Sequence, residues 1–294
     1  MRSQVLVVGE ALTDILSTPT LVEEIPGGSP ANVALGLARL GTATHFLTAL
    51  GPDARGDAIA ARLAAAGVTI LPESWSLPAT STAVAEIQAD GSARYEFDIR
   101  WRLPDRVELP RVHHVHIGSI AAFLSPGADQ IEELLAALPS KTTISFDPNI
   151  RSDLLGDDHA ARERFERIAS SADLVKLSDE DAQYLYPTTT LGEAARCIAA
   201  LGPVVAVTRG AAGSFVLTKE DIIEIEPVPS PVADTIGAGD SYMSALLHML
   251  LASGSLVSAI GSTTDMHAAA LFAARAAAVT VSRRGAEPPT AYEV

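Results

Sequence analysis

Cysteine is almost missing from this chain. Cys197 is the only one among 294 residues, so no internal disulfide can form and a disulfide-built secreted scaffold is excluded. Set in Ala-Ala-Arg-Cys-Ile-Ala-Ala, it reads as a packed small residue on a helix rather than a nucleophile. Aromatic residues are also scarce, at 5%, while 48% of the chain is hydrophobic, mainly Leu, Val, Ile and Ala. That balance suits helices packed on a parallel sheet. Positive charge is short: 21 Lys and Arg face 36 Asp and Glu, a net charge of −15. A field of that sign opposes nucleic-acid backbones, so no nucleic-acid partner is expected. A nucleotide is not excluded, because its phosphates can be met by backbone amides, Mg²⁺ and a few placed cations. Long apolar runs are lacking too. Residues 242–251 and 268–281 are the most apolar late stretches, but His248 and Arg275 interrupt them, so they read as buried helices and no membrane partner is expected. The start, Met1-Arg2-Ser3-Gln4, leads straight into strand-like residues without the apolar core of a signal peptide, and a cytoplasmic setting is expected.

What is present is a rhythm of short β-rich and longer helical runs: residues 5–9, then 31–40 closed by Gly41, then 44–50, then 58–66 closed by Gly67. Strand patterns at 113–117, 142–147, 174–177 and 204–208 continue it, with helical patterns at 129–138, 160–169 and 193–201 between them. The order implies βαβ units and a parallel sheet covered on both faces, in one folded unit over residues 1–294. The Pro-rich residues 227–231 are too few to separate domains. One stretch breaks the rhythm. Residues 82–88 and 94–99 alternate polar and apolar around Ala89-Asp90-Gly91-Ser92, a hairpin signature. Such an appendage either closes over a substrate or decorates the surface. Phe97 and Trp101 beside it either stack on a ligand or pack.

The strongest chemical signal is Asp234-Thr235-Ile236-Gly237-Ala238-Gly239-Asp240, which opens onto an apolar helix. Glycines let the backbone approach a charged ligand, and the free N–H groups of a helix start attract an anion. A carboxylate there, Asp240, can take a proton from an attacking hydroxyl while the amides hold phosphate, although a tight turn with a helix cap has the same spelling. Gly27-Gly28-Ser29-Pro30-Ala31-Asn32 is a second glycine pair before a helix, offering close approach and an amide at Asn32, or simply a helix start with Pro30 in its first turn. In His113-His114-Val115-His116, strand alternation puts His114 and His116 on one face and His113 on the other, which favours strand-end histidines over a metal site.

Together the two glycine segments resemble the ribokinase, or PfkB, family of carbohydrate kinases, with its early Gly-Gly-x-x-x-Asn and late Asp-Thr-x-Gly-Ala-Gly-Asp signatures in the expected order. Further matches run through nearly the whole chain: Gly9-Glu10 with Asp14, Phe146-Asp147-Pro148-Asn149 with Arg151, Lys176-Leu177-Ser178-Asp179-Glu180-Asp181, Thr208-Arg209-Gly210 with Gly213, and Arg284-Gly285-Ala286 before Pro289-Thr290. The resemblance implies a doubly wound, mostly parallel α/β fold with a small β lid from about residues 12–25 and 80–101. It implies transfer of the ATP γ-phosphate to a sugar hydroxyl with Mg²⁺, Asp240 as base and Gly237, Ala238 and Gly239 as anion hole. By the same resemblance Asp14, Gly28 and Asn32 hold the sugar, and Thr208, Gly210 and Gly213 face the nucleotide. Arg151 and Lys176 either neutralise phosphate or form surface salt bridges.

The chain departs from the family where Asn-x-x-Glu usually orders Mg²⁺. Here Ser178 and Asp181 stand instead, and Asp181 keeps a carboxylate that can reach Mg²⁺ through water, or serve only as a first-turn helix acid. The Lys-Leu-Ser-Asp-Glu spelling is similar to fructokinase-like members, so fructose leads as substrate, with 2-keto-3-deoxygluconate, ribose, another sugar or a nucleoside as rivals. A catalytically silent sugar- or nucleotide-binding protein is the alternative of another class. A homodimer through the lid is expected, and the resemblance adds a monovalent cation such as K⁺ near Asp234 and residues 283–285.

Overall fold

The computed structural model describes residues 4–18, 20–87, 93–219, 221–252 and 256–294. In chain order come β1 (Gln4–Val8), β2 (Leu12–Ser17), β3 (Val22–Gly27), α1 (Ser29–Arg39), β4 (Ala43–Leu47), α2 (Ala54–Ala65), β5 (Thr69–Ile70), β6 (Thr82–Ile87), β7 (Ala93–Asp98) and β8 (His114–Gly118). Then follow α3 (Gly127–Ala137), β9 (Thr143–Asp147), α4 (Asp158–Ala169), β10 (Leu174–Ser178), α5 (Asp179–Leu185), α6 (Leu191–Ala199), β11 (Val204–Thr208), β12 (Ser214–Leu217), β13 (Ile222–Ile225), α7 (Ala238–Ala252), α8 (Leu256–Ile260) and α9 (Thr263–Val281).

β1 explains the layering. Val5, Leu6, Val7 and Val8 are all fully buried, which a strand achieves only when both of its faces are covered. Val5 and Val7 join a core with residues of α1, α2, α7 and α9, whereas Leu6 and Val8 join a second core with residues of α3, α4, α5 and α6. The sheet between the two cores runs β13-β12-β11-β10-β9-β8-β1-β4-β5. It is parallel from β5 to β11 and antiparallel only where β12 and β13 extend the edge. This is a doubly wound, mostly parallel fold. The two antiparallel strands were not anticipated, because four residues are too few to show a period.

From β1 the chain builds outward in both directions, to β4 on one side and β8 on the other. Loops that leave the carboxyl ends of neighbouring strands there diverge and open a crevice. A separate four-stranded sheet, β3-β2-β6-β7, is inserted after β1 and after β5. Its β6 and β7 pair antiparallel from Thr82 opposite Asp98 to Ile87 opposite Ala93, and the turn expected at Ala89-Asp90-Gly91-Ser92 lies outside the described residues. Helices α1 and α7 lie against each other at one very close point: a Cβ on Gly36 would sit 2.2 Å from Ser244 Oγ. That contact sets their N-terminal ends side by side.

Several expectations are corrected, and one open alternative is resolved. Cys197 is exposed on α6, because Ala194, Ala195 and Ile198 take the buried stripe of that helix. Trp101 packs: it is 4% exposed, and its Nε1 donates to Ala121 O at 2.9 Å. His114 opens β8, at a strand end as expected, whereas His116 lies mid-strand, and both are buried. His114 bonds Thr143 Oγ1 and Ser145 Oγ, and His116 bonds the same Ser145, while burial lowers both imidazoles to about 3, so they stay neutral. Among the described residues no helix is long and apolar enough to cross a membrane, and no group of three His, Cys, Asp or Glu side chains could hold a metal ion.

Candidate active site

The first turn of α1 is shaped by Gly28, whose φ of +101° is left-handed. A Cβ there would lie 2.7 Å from Glu10 O, so only glycine lets the chain after β1 press against the helix start. Ser29 and Asn32, three residues apart, then share one helix face. Both point at Asp240, in the first turn of α7. Ser29 Oγ donates to Asp240 Oδ1 at 2.6 Å, and Asn32 Nδ2 donates to Oδ2 at 2.9 Å. Asp240 is 7% exposed, so its carboxylate has few orientations open to it, yet each oxygen keeps a lone pair for an incoming proton.

The turn before α7 supplies the amides. Gly237 has φ +76°, Ala238 N donates to Thr235 O at 3.3 Å, and Ser241 N donates to Gly237 O at 2.8 Å. The amides of Gly237, Gly239 and Asp240 have no acceptor among the described residues. Donors left over at a helix start form an anion site, and here they adjoin a carboxylate. The turn is braced from outside by Asp234, which accepts from Ile236 N at 3.0 Å and Gly285 N at 2.9 Å. Those amide donors hold its carboxyl below the usual range.

On the inserted sheet, Asp14 stands on β2 over Gly27, where a Cβ would fall 2.1 Å from Asp14 Oδ2. Asp14 is exposed to solvent, yet crowding by surrounding groups pushes its carboxyl up to about 6, with the Arg151 charge pulling the other way. Glu10 is buried, accepts from Ala121 N at 3.1 Å, and is pushed up by burial to about 8. It is a neutral prop at pH 7. Asp14, Gly28, Asn32 and Asp240 thus meet where α1, α7 and the small sheet converge.

Thr208 lies opposite Ser178 at the carboxyl edge, and its Oγ1 makes only a long 3.5 Å contact with Leu177 O. Gly210 and Gly213 turn with φ +52° and +78°. Beside Gly213, Ser214 Oγ is 3.0 Å from Tyr242 Oη, which ties this loop to α7. Arg151 bonds only to its neighbours Asn149 and Ile150 among the described residues, leaving its charge available. Lys176 is no surface salt bridge: its Nζ meets Asp147 Oδ2 at 2.9 Å with both side chains buried.

Asp181 fits Mg²⁺ poorly as a direct ligand. Its carboxylate already accepts from Ile150 N at 2.8 Å, Ser178 N at 2.9 Å and Ser178 Oγ at 2.8 Å. Of roughly four lone-pair positions on a carboxylate, one is left, enough for a water between the ion and Asp181.

Sequence reasoning missed Ser29 and the Asp147–Lys176 pair. The i, i+3 spacing of Ser29 and Asn32 was a usable signal for the first. For the second there was none, since it depends on β9 and β10 being neighbours.

The comparisons agree with this geometry. The profile described as pfkB family carbohydrate kinase matches residues 3–291. A fructokinase of Escherichia coli is 31% identical over 270 residues, covering 86% of this chain and 86% of that protein. A solved fructokinase of Xylella fastidiosa with bound ATP superposes with a TM-score of 0.84 at 25% identity, over 100% of this chain and 97% of that one. A fructokinase double mutant of Vibrio cholerae O395, bound to fructose, ADP and potassium ion, gives 0.81 at 25% identity, over 97% of this chain and 94% of that one.

Proposed function

Because the chain belongs to the pfkB family of carbohydrate kinases and is an ATP-dependent sugar kinase, we propose fructose as its sugar and Asp240 as its base. The observation that carries the mechanism is the placement of one clamped carboxylate beside unpaired helix-start amides. Asp14 and Asn32 hold and orient sugar hydroxyls, with Gly28 allowing close approach. Asp240 takes the proton of one hydroxyl as that oxygen bonds to the γ-phosphorus, and the bond from phosphorus to the bridging oxygen breaks to release ADP. The amides of Gly237, Gly239 and Asp240, with Ala238 in the same turn, meet the charge that develops on the transferred group. Thr208, Gly210 and Gly213 line the nucleotide side. Mg²⁺, when bound through water near Asp181, supplies charge neutralisation on the phosphates. A monovalent cation belongs near Asp234 and residues 283–285, and the potassium bound by the Vibrio cholerae protein supports it. The cytoplasm, where ATP is made, is the setting.

Support for fructose comes from the curated and solved relatives named fructokinase. ADP release with ATP and a panel of fructose, ribose, 2-keto-3-deoxygluconate and nucleosides tests it: kcat/KM is expected to be highest for fructose, and a higher value for another acceptor rejects it. The titration of Asp14 adds a pH signature. Its raised pKa of about 6 means the charged acceptor is complete above that pH and lost below it. The sugar KM is therefore expected to climb roughly tenfold from pH 7 to pH 5, and to stay flat over that range in Asp14→Asn. Equal profiles for the two proteins reject the role of Asp14.

The inserted sheet supports a homodimer. Ile25, Asp14, Ala83 and Phe97 form one row across it, so they share a face, and Tyr95 joins them two residues from Phe97 with its ring parallel at 6.3 Å. Ile25, Phe97 and Tyr95 are 38%, 38% and 61% exposed. A second copy would cover this apolar face and the sheet edges. Light scattering is expected to report a dimer at micromolar concentration, and a monomer there removes the proposal.

A further inference from the structure

Under the glycine turn lies a buried ion pair that the mechanism above does not use. We propose that Lys176 is a positioning residue for phosphoryl transfer: a fixed cation beneath the Gly237-to-Asp240 turn that offsets the surrounding carboxylates and so admits the anionic phosphoryl group. The inference rests on the kinase reading and adds a residue to it.

Lys176 projects from β10 with only 3% exposure. A Cβ on Gly239 would lie 3.0 Å from Lys176 Nζ, so the ammonium lies against the turn that carries the free amides. Of its three donors, one goes to Asp147 Oδ2 at 2.9 Å. Asp147 is 1% exposed, and its other oxygen has no hydrogen-bond partner among the described residues. Burial works against the charge on Lys176, but the carboxylates of Asp147, Asp181 and Asp240 outweigh it and hold the ammonium above its ordinary range. Burial in turn pushes Asp147 up to about 6, with Lys176 pulling back. One cation thus faces three carboxylates at the place where a phosphate arrives.

Stability is a weak reason for such an arrangement. A buried ion pair replaced by apolar groups of similar size is often no less stable, because desolvation of both charges consumes their attraction. Electrostatics of the reaction is a stronger one. Without the ammonium, a negatively charged γ-phosphate would approach three uncompensated carboxylates through a low-dielectric layer.

The test compares wild type with Lys176→Met, Lys176→Gln and the double variant Asp147→Asn/Lys176→Met, reading kcat, sugar KM and melting temperature. Wild-type turnover of a sugar establishes the kinase reading independently of these variants. Lys176→Met leaves Asp147 buried and unpaired, so its melting temperature and its kcat are both expected to fall. In the double variant, which removes one charge of each sign, melting and kcat are both expected to recover toward wild type. Lys176→Gln, which still donates to Asp147 but carries no charge, is expected to keep melting near wild type with kcat down at least ~30-fold and sugar KM within ~3-fold. A wild-type kcat in Lys176→Gln would overturn the proposal and leave Lys176 as nothing more than the partner of Asp147.

Discussion

Asp240→Asn is expected to lower kcat at least ~100-fold while changing ATP affinity little. The substitution keeps the size of the side chain and leaves the glycine turn alone, so the amides that meet phosphate stay in place. What it removes is the acceptor for the sugar proton. Asn can still accept from Ser29 through its oxygen, but its amide then faces Asn32 Nδ2, donor against donor, where Oδ2 now accepts at 2.9 Å. A small relaxation of Asn32 is expected to follow, with sugar KM rising a few-fold. Steady-state kinetics with ATP titration by calorimetry separates the two effects. Turnover within ~5-fold of wild type would remove Asp240 as the base.

Gly237→Ala is expected to reduce kcat/KM for ATP by at least ~30-fold and to lower the melting temperature by several degrees. Two causes add. A left-handed φ of +76° costs a non-glycine residue of the order of 1 kcal/mol. The new methyl would also sit 2.6 Å from Ala286 Cβ and 2.9 Å from Ala286 Cα, so the turn must move away from residues 285–287. Such a shift carries the Gly239 and Asp240 amides with it, and misplaced donors lose much of their value at a developing charge. Gly41→Ala is the matched control. Its φ is +95° but nothing lies within 4 Å of the added atom, so it is expected to lose stability alone and keep wild-type kinetics. A Gly237→Ala enzyme with normal kinetics would detach the turn from catalysis.

Much of the fold was legible because its strands and helices are long enough to show a period. The pattern at residues 204–208 coincides with β11, and that at 160–169 falls inside α4. The helix expected at 31–40 begins two residues earlier, at Ser29, because Gly28 and Pro30 start it sooner than the apolar pattern does. β12 and β13 escaped notice, being four residues each. In the candidate site, the glycine turns and Asp240 were legible as motifs, since close approach leaves glycine as its mark. The partners of Asp240 were not: Ser29 and Asn32 lie more than 200 positions away and reach it only because Gly36 brings α1 onto α7. Lys176 could be named but not placed, because its burial depends on strand order.

An ATP-dependent sugar kinase moves a phosphoryl group from ATP to a sugar oxygen. Following ATP and fructose by phosphorus NMR with the wild-type protein tests it most directly. The expected record is one sugar monophosphate formed for each ADP, with inorganic phosphate at background. ADP accompanied by inorganic phosphate and no sugar monophosphate, on fructose or any other sugar supplied, would contradict it.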